Sequence, residues 1–391
     1  NENIVVNTTK FNKILEYNSD KQIITVQSGA SILKVNNFLF EKKLTLKSIP
    51  SNYEITIGGA ISNNVFGKDS HKEGFFQQNI VEIEYIDSNL NIVSISKFNS
   101  ADKISHLMST IGLLGFILNV KLKASKLKSN LLLKNNIYYQ SLDIFLNNYD
   151  KDKILNKDFN TIKVNQFSKN LEVYVETYSF DDGFKEDIKY FDLYKHKSFL
   201  FFNQKLIINK NFYKGIKNFI LKIFSLFPMR ILWKLFNFFG FYFFKHKNSK
   251  PLNIHIMDLL HNNNFSDHNI LFSRNGFYSF QIMITIKQSK RLIKKYFNLA
   301  KKYKCESYLS TIKFLPKRSD FIYDYDKHIA IEIYTPRSKM NNKQSKFLEE
   351  IIDLIIANKN QIVISKDNIL NKSQLYKIFP KINEFKILKQ E

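Results

Sequence analysis

The sequence predicts an α+β chain, on three observations. Short runs of high β propensity alternate with amphipathic stretches from residue 22 to residue 122. Residues 277–364 read strand, helix, strand, strand, helix, strand, the split β-α-β arrangement of a mixed sheet with helices on one face. Between them, near Ala124, glycine becomes sparse and aromatic and basic residues increase, which marks a domain boundary.

The elements follow in chain order. QIITVQ, residues 22–27, is a strand that Gly29 ends, and Ser31 caps a helix over Ile32–Lys43 with Ile32, Val35, Leu39 and Phe40 on one side. Pro50 marks a loop. Ile55–Ile57 is a short strand running into a glycine pair. Ile80–Ile86 and Ile92–Ile95 form a hairpin across DSNLN. Ala101–Ser109 is helical, and Gly112 and Gly115 lead into a strand over Phe116–Leu122. Leu171–Tyr178 alternates as a strand. Beyond Gly276 come strand Phe277–Ile286, helix Gln288–Tyr303, strands Tyr308–Phe314 and His328–Tyr334, helix Asn342–Ala357 and strand Gln361–Ile364.

Bulk properties narrow the chemistry. The chain has 391 residues and a net charge of +24, which points to an anionic partner such as acidic lipid, a phosphorylated substrate or nucleic acid. The abundance of Lys, Asn, Ile and Phe is also what an AT-rich genome produces. Cys305 is the only cysteine, so an internal disulfide or a Cys-based metal site is excluded, and no metal is expected. The first residue is Asn1, which reads as a partial or processed chain.

Four of the eleven glycines, Gly58, Gly59, Gly67 and Gly74, fall within ITIGGAISNNVFGKDSHKEG, residues 55–74. Paired glycines after a strand let backbone approach a ligand closely and let successive amides point at a phosphate or ring carbonyl. The spacing is neither GxGxxG nor GxxxxGK[ST], so neither a Rossmann site nor a P-loop is supported. The residues alone leave a second reading open, two ordinary tight turns.

ITIGGAISNNVFGKDSH resembles the flavin-contacting loop of the vanillyl-alcohol-oxidase type FAD-binding domain, and most of all that of decaprenylphosphoryl-ribose oxidase and its relatives, which carry TVGGAIA-x-D-x-HGKNHH there. QIITVQSGASILKVNNFL, NIVEIEYIDSNLNIVSIS and IGLLGFILNVKL resemble the flanking blocks of that family. YLSTIKF, HIAIEIYTP, VISKDNIL and FPKINEF resemble its later blocks in order. The similarity spans nearly the whole chain and is weakest around 129–255. It implies a two-domain, PCMH-type FAD oxidoreductase: an FAD domain over 1–128, an inserted substrate domain with a mixed or antiparallel sheet over 129–360, and a tail, 361–391, returning to the FAD domain.

The resemblance also implies site residues. Thr56, Ile57, Gly58 and Gly59 would line the flavin or its diphosphate, and Gly67, Lys68 and Asp69 would continue that wall. Ile117 would pack on the cofactor. Ser51 and Asn52 stand where relatives have a Gly-Thr pair that contacts FAD. Lys366, in VISKD, matches the family lysine near the flavin, and Lys313, in TIKF, one on the substrate side; a cation there stabilises the charge that a delivered hydride leaves on the ring. The bland reading of both is solvated surface. Gln281 matches a substrate-contacting glutamine.

Some positions depart from the family. Phe66 replaces a His before the Gly-Lys pair, and cannot handle a proton. Ala330 replaces a cysteine. His328 replaces an Asn and is a candidate substrate contact, while His71 keeps the second His of a pair. Relatives begin this domain with a Gly- and Arg-rich loop that wraps the diphosphate, and Asn1 falls just after it. The chain as it stands is therefore expected to bind FAD weakly and its parent strongly.

Residues 209–247 are basic and aromatic. Lys217, Lys222, Arg230 and Lys234 leave no uncharged run of the ~18 residues that a membrane span needs. Lys210, Lys214 and Lys217 share one helical face, with Phe212, Ile216, Phe219 and Ile220 largely opposite. This predicts an interfacial helix on anionic lipid, with Trp233 and the Phe cluster 236–244 at the headgroup boundary. An element covering the substrate domain is the bland alternative, and single-stranded nucleic acid the less favoured one. No nucleic-acid partner is expected.

The expected function is oxidation of a secondary sugar hydroxyl, on a lipid-linked pentose-like substrate, as the first half of an epimerisation completed by a separate NAD(P)-dependent reductase in cell-envelope polysaccharide synthesis. The expected location is cytoplasmic or membrane-peripheral. The alternatives are a flavin oxidase of a soluble sugar or aldonolactone, and a non-catalytic membrane-associated descendant.

Overall fold

Two sheets organise the chain, each around its own core. The computed structural model describes residues 7–52, 54–183, 197–201, 204–208, 229–246, 251–260, 276–307, 310–337, 342–366 and 369–390. The first sheet contains β1 (Ile14–Asn18), β2 (Ile23–Gln27), β3 (Ile80–Ile86), β4 (Ile92–Ser96) and β5 (Phe116–Lys123), in the order β1-β2-β5-β3-β4. Alternation in IITVQ sends Ile24 and Val26 into the core, where Ile83, Val120 and Leu122 meet them. Helix α1 (Ile32–Phe40) begins where Ser31 accepts the Lys34 amide, and packs Ile32, Val35 and Leu39 inward.

The second sheet has eight strands: β6 (Leu131–Tyr139), β7 (Phe159–Val164), β8 (Val173–Phe180), β9 (Leu252–His255), β10 (Phe277–Thr285), β11 (Ser310–Leu315), β12 (His328–Pro336) and β13 (Gln361–Ile362). Their order is β9-β6-β8-β7-β11-β12-β10-β13. Every pair within this order is antiparallel, so of the expected mixed or antiparallel sheet the antiparallel form is the one present. The expected β-α-β-β-α-β succession is present, with helices over Ile286–Lys302 and Asn342–Ala357.

This sheet has two unlike faces. Val175, Ile162, Ile312, Ile331 and Ile282 are register neighbours on one of them. The Ile286–Lys302 helix contributes Leu292, Ile293, Tyr296 and Phe297 to the same core, and the Asn342–Ala357 helix Phe347, Ile351 and Ile355. Their 3-4 spacing gives each helix an apolar stripe, with lysines outside on the first and charges of both signs outside on the second, and each fully buried Ile, Leu or Phe contributes about 1.5–3 kcal/mol. The other face is polar and lies toward the glycine-rich segment.

Three local expectations change. Ile55–Ile57 is not a strand: Thr56 makes one isolated bridge to Ser31, then caps a short helix, Ile57–Ser62, by accepting the Gly59 amide at 3.2 Å. The strand expected over Gln361–Ile364 stops at Ile362, so Lys366 lies in a turn. In the tail, Ile378, Phe379 and Phe385 pack in the core of the larger sheet.

Candidate functional site

A single cross-sheet row defines the polar face. Gln281, Glu332, Thr311, Lys163, Tyr174 and Tyr138 are successive register partners from β10 to β6. Direct partners in an antiparallel pair share a face, so the row gathers polar side chains on one surface.

Glu332 is its centre. It is buried, and its Oε1 accepts Lys366 Nζ at 2.9 Å and the Tyr334 hydroxyl at 2.6 Å, while Oε2 accepts the Thr311 hydroxyl at 3.3 Å. Burial alone would raise its carboxyl, but Lys366, Lys313 and these hydrogen bonds outweigh burial and hold it at about 2. Lys313, two residues along β11, faces Ala330, and its Nζ sits 5.0 Å from the Phe66 ring centroid. Burial lowers its pKa, with Lys366 adding to the effect and Glu332 opposing it.

The structure thus brings Lys313, Lys366, Gln281 and Phe66 together. Phe66 packs edge-on against Phe75 with centroids 5.6 Å apart, so the position of the family's His here supports an aromatic floor under Lys313. Lys68 joins from the same segment. Its Nζ donates to the Leu259 carbonyl at 2.8 Å, and burial brings its pKa down to about 7, with Lys163, Lys313 and Lys134 nearby opposing Glu176. Asp69 is buried and accepts the Ser48 amide at 2.9 Å; burial raises its carboxyl to about 6.

The glycines serve packing as well as openness. A Cβ on Gly58 would stand 3.0 Å from the Ser28 Cβ, and one on Gly67 2.4 Å from the Ile49 carbonyl oxygen. The expectation of free amides is corrected here. Ile57 N–H donates to Ala30 O at 2.8 Å, Gly58 N–H to Ser28 O at 2.8 Å, and Gly59 N–H to the Thr56 hydroxyl. Gly58 and Gly59 remain half-buried, so what they offer a ligand is side-chain-free surface rather than a nest of donors.

Other expected residues lie further out. Ser51 is half-buried and Asn52 exposed, its side chain accepting the Glu54 amide. Ile117 is buried in the first core. His328 is buried, packs at a tilt against Tyr325 with ring centroids 4.2 Å apart and places Nδ1 at the Asp326 carbonyl, while burial lowers its pKa; in these contacts it is a satisfied structural histidine. The same holds for His71, whose Nε2 donates to Lys157 O at 2.8 Å and whose Nδ1 accepts from Asn160 at 3.1 Å. A surface cavity of about 480 Å³, lined by Lys47, Lys72, Gly74 and Lys317 among others, includes none of the expected site residues.

Sequence reasoning missed a buried junction beside the site. Arg318 Nε donates to Asp320 Oδ2 at 2.6 Å, and the same oxygen accepts Ser109 at 2.8 Å and Asn64 at 3.0 Å. Tyr323 stacks beneath the guanidinium at 4.3 Å, and its hydroxyl accepts the Ile364 amide at 2.8 Å, two residues before Lys366. The junction ties the glycine segment, the 109–112 turn and the Lys366 turn together. Its partners are more than 200 residues apart, so no local pattern announces them.

The same turn carries the fit to a planar cofactor. Ser109 and Ile111 hold φ of 62° and 57°, costly for a β-branched residue, and the Ile111 amide donates to Ser62 O at 3.0 Å. Ile111, Leu113 and Phe116 are exposed beside it, and the buried Thr110 hydroxyl has no partner among the described residues. Apolar side chains left in solvent, side-chain-free backbone and nearby cations suit an anionic dinucleotide with an apolar ring.

Comparison with known proteins agrees. Residues 1–96 match the FAD binding domain family. D-arabinono-1,4-lactone oxidase of Debaryomyces hansenii is 27% identical over 100 residues, 26% of this chain and 18% of that protein. L-gulonolactone oxidase of Mus musculus is 22% identical over 122 residues, 31% of this chain and 28% of that protein. Delta(24)-sterol reductase of Rattus norvegicus is 28% identical over 122 residues, 31% of this chain and 23% of that protein. The chain spans less than a third of the length of these curated relatives. Together the matches show an FAD-binding domain over residues 1–96, with FAD as the cofactor, in a chain that is distantly similar to sugar-lactone oxidases.

Proposed function

We propose that the chain belongs to a flavin enzyme that oxidises a hydroxyl-bearing carbon of a sugar or aldonolactone, at the polar sheet face beside the glycine segment. The observation that carries this reading is the Lys313–Glu332–Lys366 cluster, a buried carboxylate bonded by Lys366 with Lys313 near enough to lower it, next to the segment matched to an FAD domain. Thr56, Gly58, Gly59 and the 109–112 turn would hold FAD, which when bound supplies the hydride acceptor, while the buried Ile57, Gly67, Asp69 and Ile117 would support that surface from behind. Lys313 and Lys366 would stabilise negative charge that develops in the pocket, and Glu332 would orient them. Glu332 is too acidic and too fully paired to take a proton near neutral pH. Gln281, opposite Glu332, would contact the substrate hydroxyls.

The test is anaerobic addition of D-arabinono-1,4-lactone, L-gulonolactone or free pentoses to the FAD-loaded full chain. Bleaching of the visible flavin band supports the reading, and a band that none of them bleaches contradicts it.

A lipid-linked pentose is a second reading, with a keto product passed to a separate NAD(P)-dependent reductase. It is favoured by residues 193–257, which hold twelve Lys and Arg and no Asp or Glu. Bleaching by a polyprenyl-phosphoryl pentose in detergent, but by no free sugar, would select it.

A further inference from the structure

Only part of the aromatic segment falls within the described residues. Residues 209–228 and 247 lie outside the described residues, so the face with Lys210, Lys214 and Lys217 is not described. The helix Met229–His246 is described, and it corrects the placement of Trp233 at a headgroup boundary: Trp233 and Phe241 are buried against the protein. Arg230, on the same side, forks onto Glu306, with Nε 3.0 Å from Oε2. At 100° per residue, Arg230, Trp233, Asn237 and Phe241 form one stripe.

The opposite stripe is apolar and open to solvent. Ile231 is 54% exposed, Leu235 48%, Phe238 60% and Phe239 51%. Their spacing puts them within one arc of the helix. Lys234 and Lys245, both exposed, border that arc on one side. Large apolar side chains grouped this way on a surface mark an interaction site rather than scatter. Charge identifies the occupant. Residues 193–257 carry twelve basic and no acidic residues, half of the chain's net charge of +24. A second copy of this chain would bring the same positive charge to the contact. A negatively charged lipid surface would neutralise it while burying the aromatic stripe. Among the described residues no helix is long and apolar enough to cross a membrane, so the helix would lie along the surface.

We infer that the Ile231–Phe239 stripe of this helix is a docking face for an anionic lipid surface, with Lys234 and Lys245 at the headgroups. The test is co-sedimentation of the full chain with vesicles of phosphatidylcholine containing about one third phosphatidylglycerol, against phosphatidylcholine alone. Binding is expected only with the anionic vesicles, weakening as salt rises. The Phe238→Ser/Phe239→Ser variant should bind about tenfold more weakly at an unchanged melting temperature. Lys234→Glu/Lys245→Glu should lose binding chiefly at low salt. Phe98→Ser, which removes an exposed aromatic outside the helix, should bind as the parent does. Equal binding by the double Phe variant, or no binding to anionic vesicles by the parent, would overturn the inference. So would loss of self-association, rather than of lipid binding, in the double Phe variant, since a second copy would then be the occupant.

Discussion

Glu332 and Glu176 are two buried carboxylates on the same sheet face, and two lysines lower each of them, both by direct contact at Glu176 and only Lys366 by direct contact at Glu332. Glu176 lies opposite Asn136 and Thr161, and Lys134 and Lys163 reach it from the two flanking strands. Burial raises its carboxyl, but those lysines outweigh burial and bring it to about 2, as at Glu332. The partners differ in origin. The Glu176 cluster is closed within three adjacent strands. Glu332 draws Lys366 from a turn after β13, and Lys313 beside it leans on Phe66 of the glycine segment. Equal electrostatics therefore serve unequal ends. One cluster is a brace of the sheet, and the other joins three separate parts of the chain where the cofactor segment meets the sheet.

The largest effect should come from removing one lysine from each cluster. Lys366→Ala should slow flavin reduction by about 10²–10³-fold, the usual cost of losing one group that stabilises developing charge. Lys163→Ala should leave the rate within about threefold. Stopped-flow reduction at matched flavin content measures both, and equal slowing would erase the distinction.

Stability should treat the clusters alike. Glu176→Gln and Glu332→Gln should each cost about 3 kcal/mol in urea unfolding, because each strands two lysines in a largely buried setting. A much smaller loss at Glu332 would mean that its lysines find other partners.

Acid should sharpen the same point. Both native carboxyls titrate at about 2, below their ordinary value of 4.5. Their contribution is complete above about 4.5 and is lost as pH falls toward about 2. The Glu176→Gln/Glu332→Gln double variant should show a shallower loss of stability across that window.

The smallest effect concerns Lys68, which lies between the clusters. Its native pKa of about 7 is below its ordinary 10.5, so the folded state disfavours its charge. That penalty is absent above about 10.5 and grows as pH falls to about 7. Lys68→Gln should gain melting temperature over the parent across that range, by roughly 2–4 °C, and no further below it.

Much of this architecture was legible in the sequence, for physical reasons. The hairpin joining Ile80–Ile86 to Ile92–Ile95 and the 3-4 spacing in the two long helices are local signals, and the structure keeps them. The assignment of Lys366 to the flavin side and Lys313 to the substrate side of one site rests on a family resemblance, since no spacing links residues in separate elements. The Arg318–Asp320 junction was not legible: its partners Asn64 and Ser109 are ordinary turn residues until the fold brings them together. The free glycine amides were a wrong expectation because capping took priority. Thr56 and the carbonyls of Ser28 and Ala30 satisfy those donors first. Trp233 was misplaced because composition alone does not say which stripe of an amphipathic helix faces the protein.

The most direct measurement compares Glu332→Gln with Glu176→Gln in the FAD-loaded full chain, by anaerobic single-turnover reduction with a sugar lactone that bleaches the parent. If the reactive site lies at Glu332, that variant should be slowed about tenfold or more while Glu176→Gln keeps the parental rate. Equal rates in the two variants, at equal flavin content, would contradict the assignment of the site to the Lys313–Glu332–Lys366 cluster.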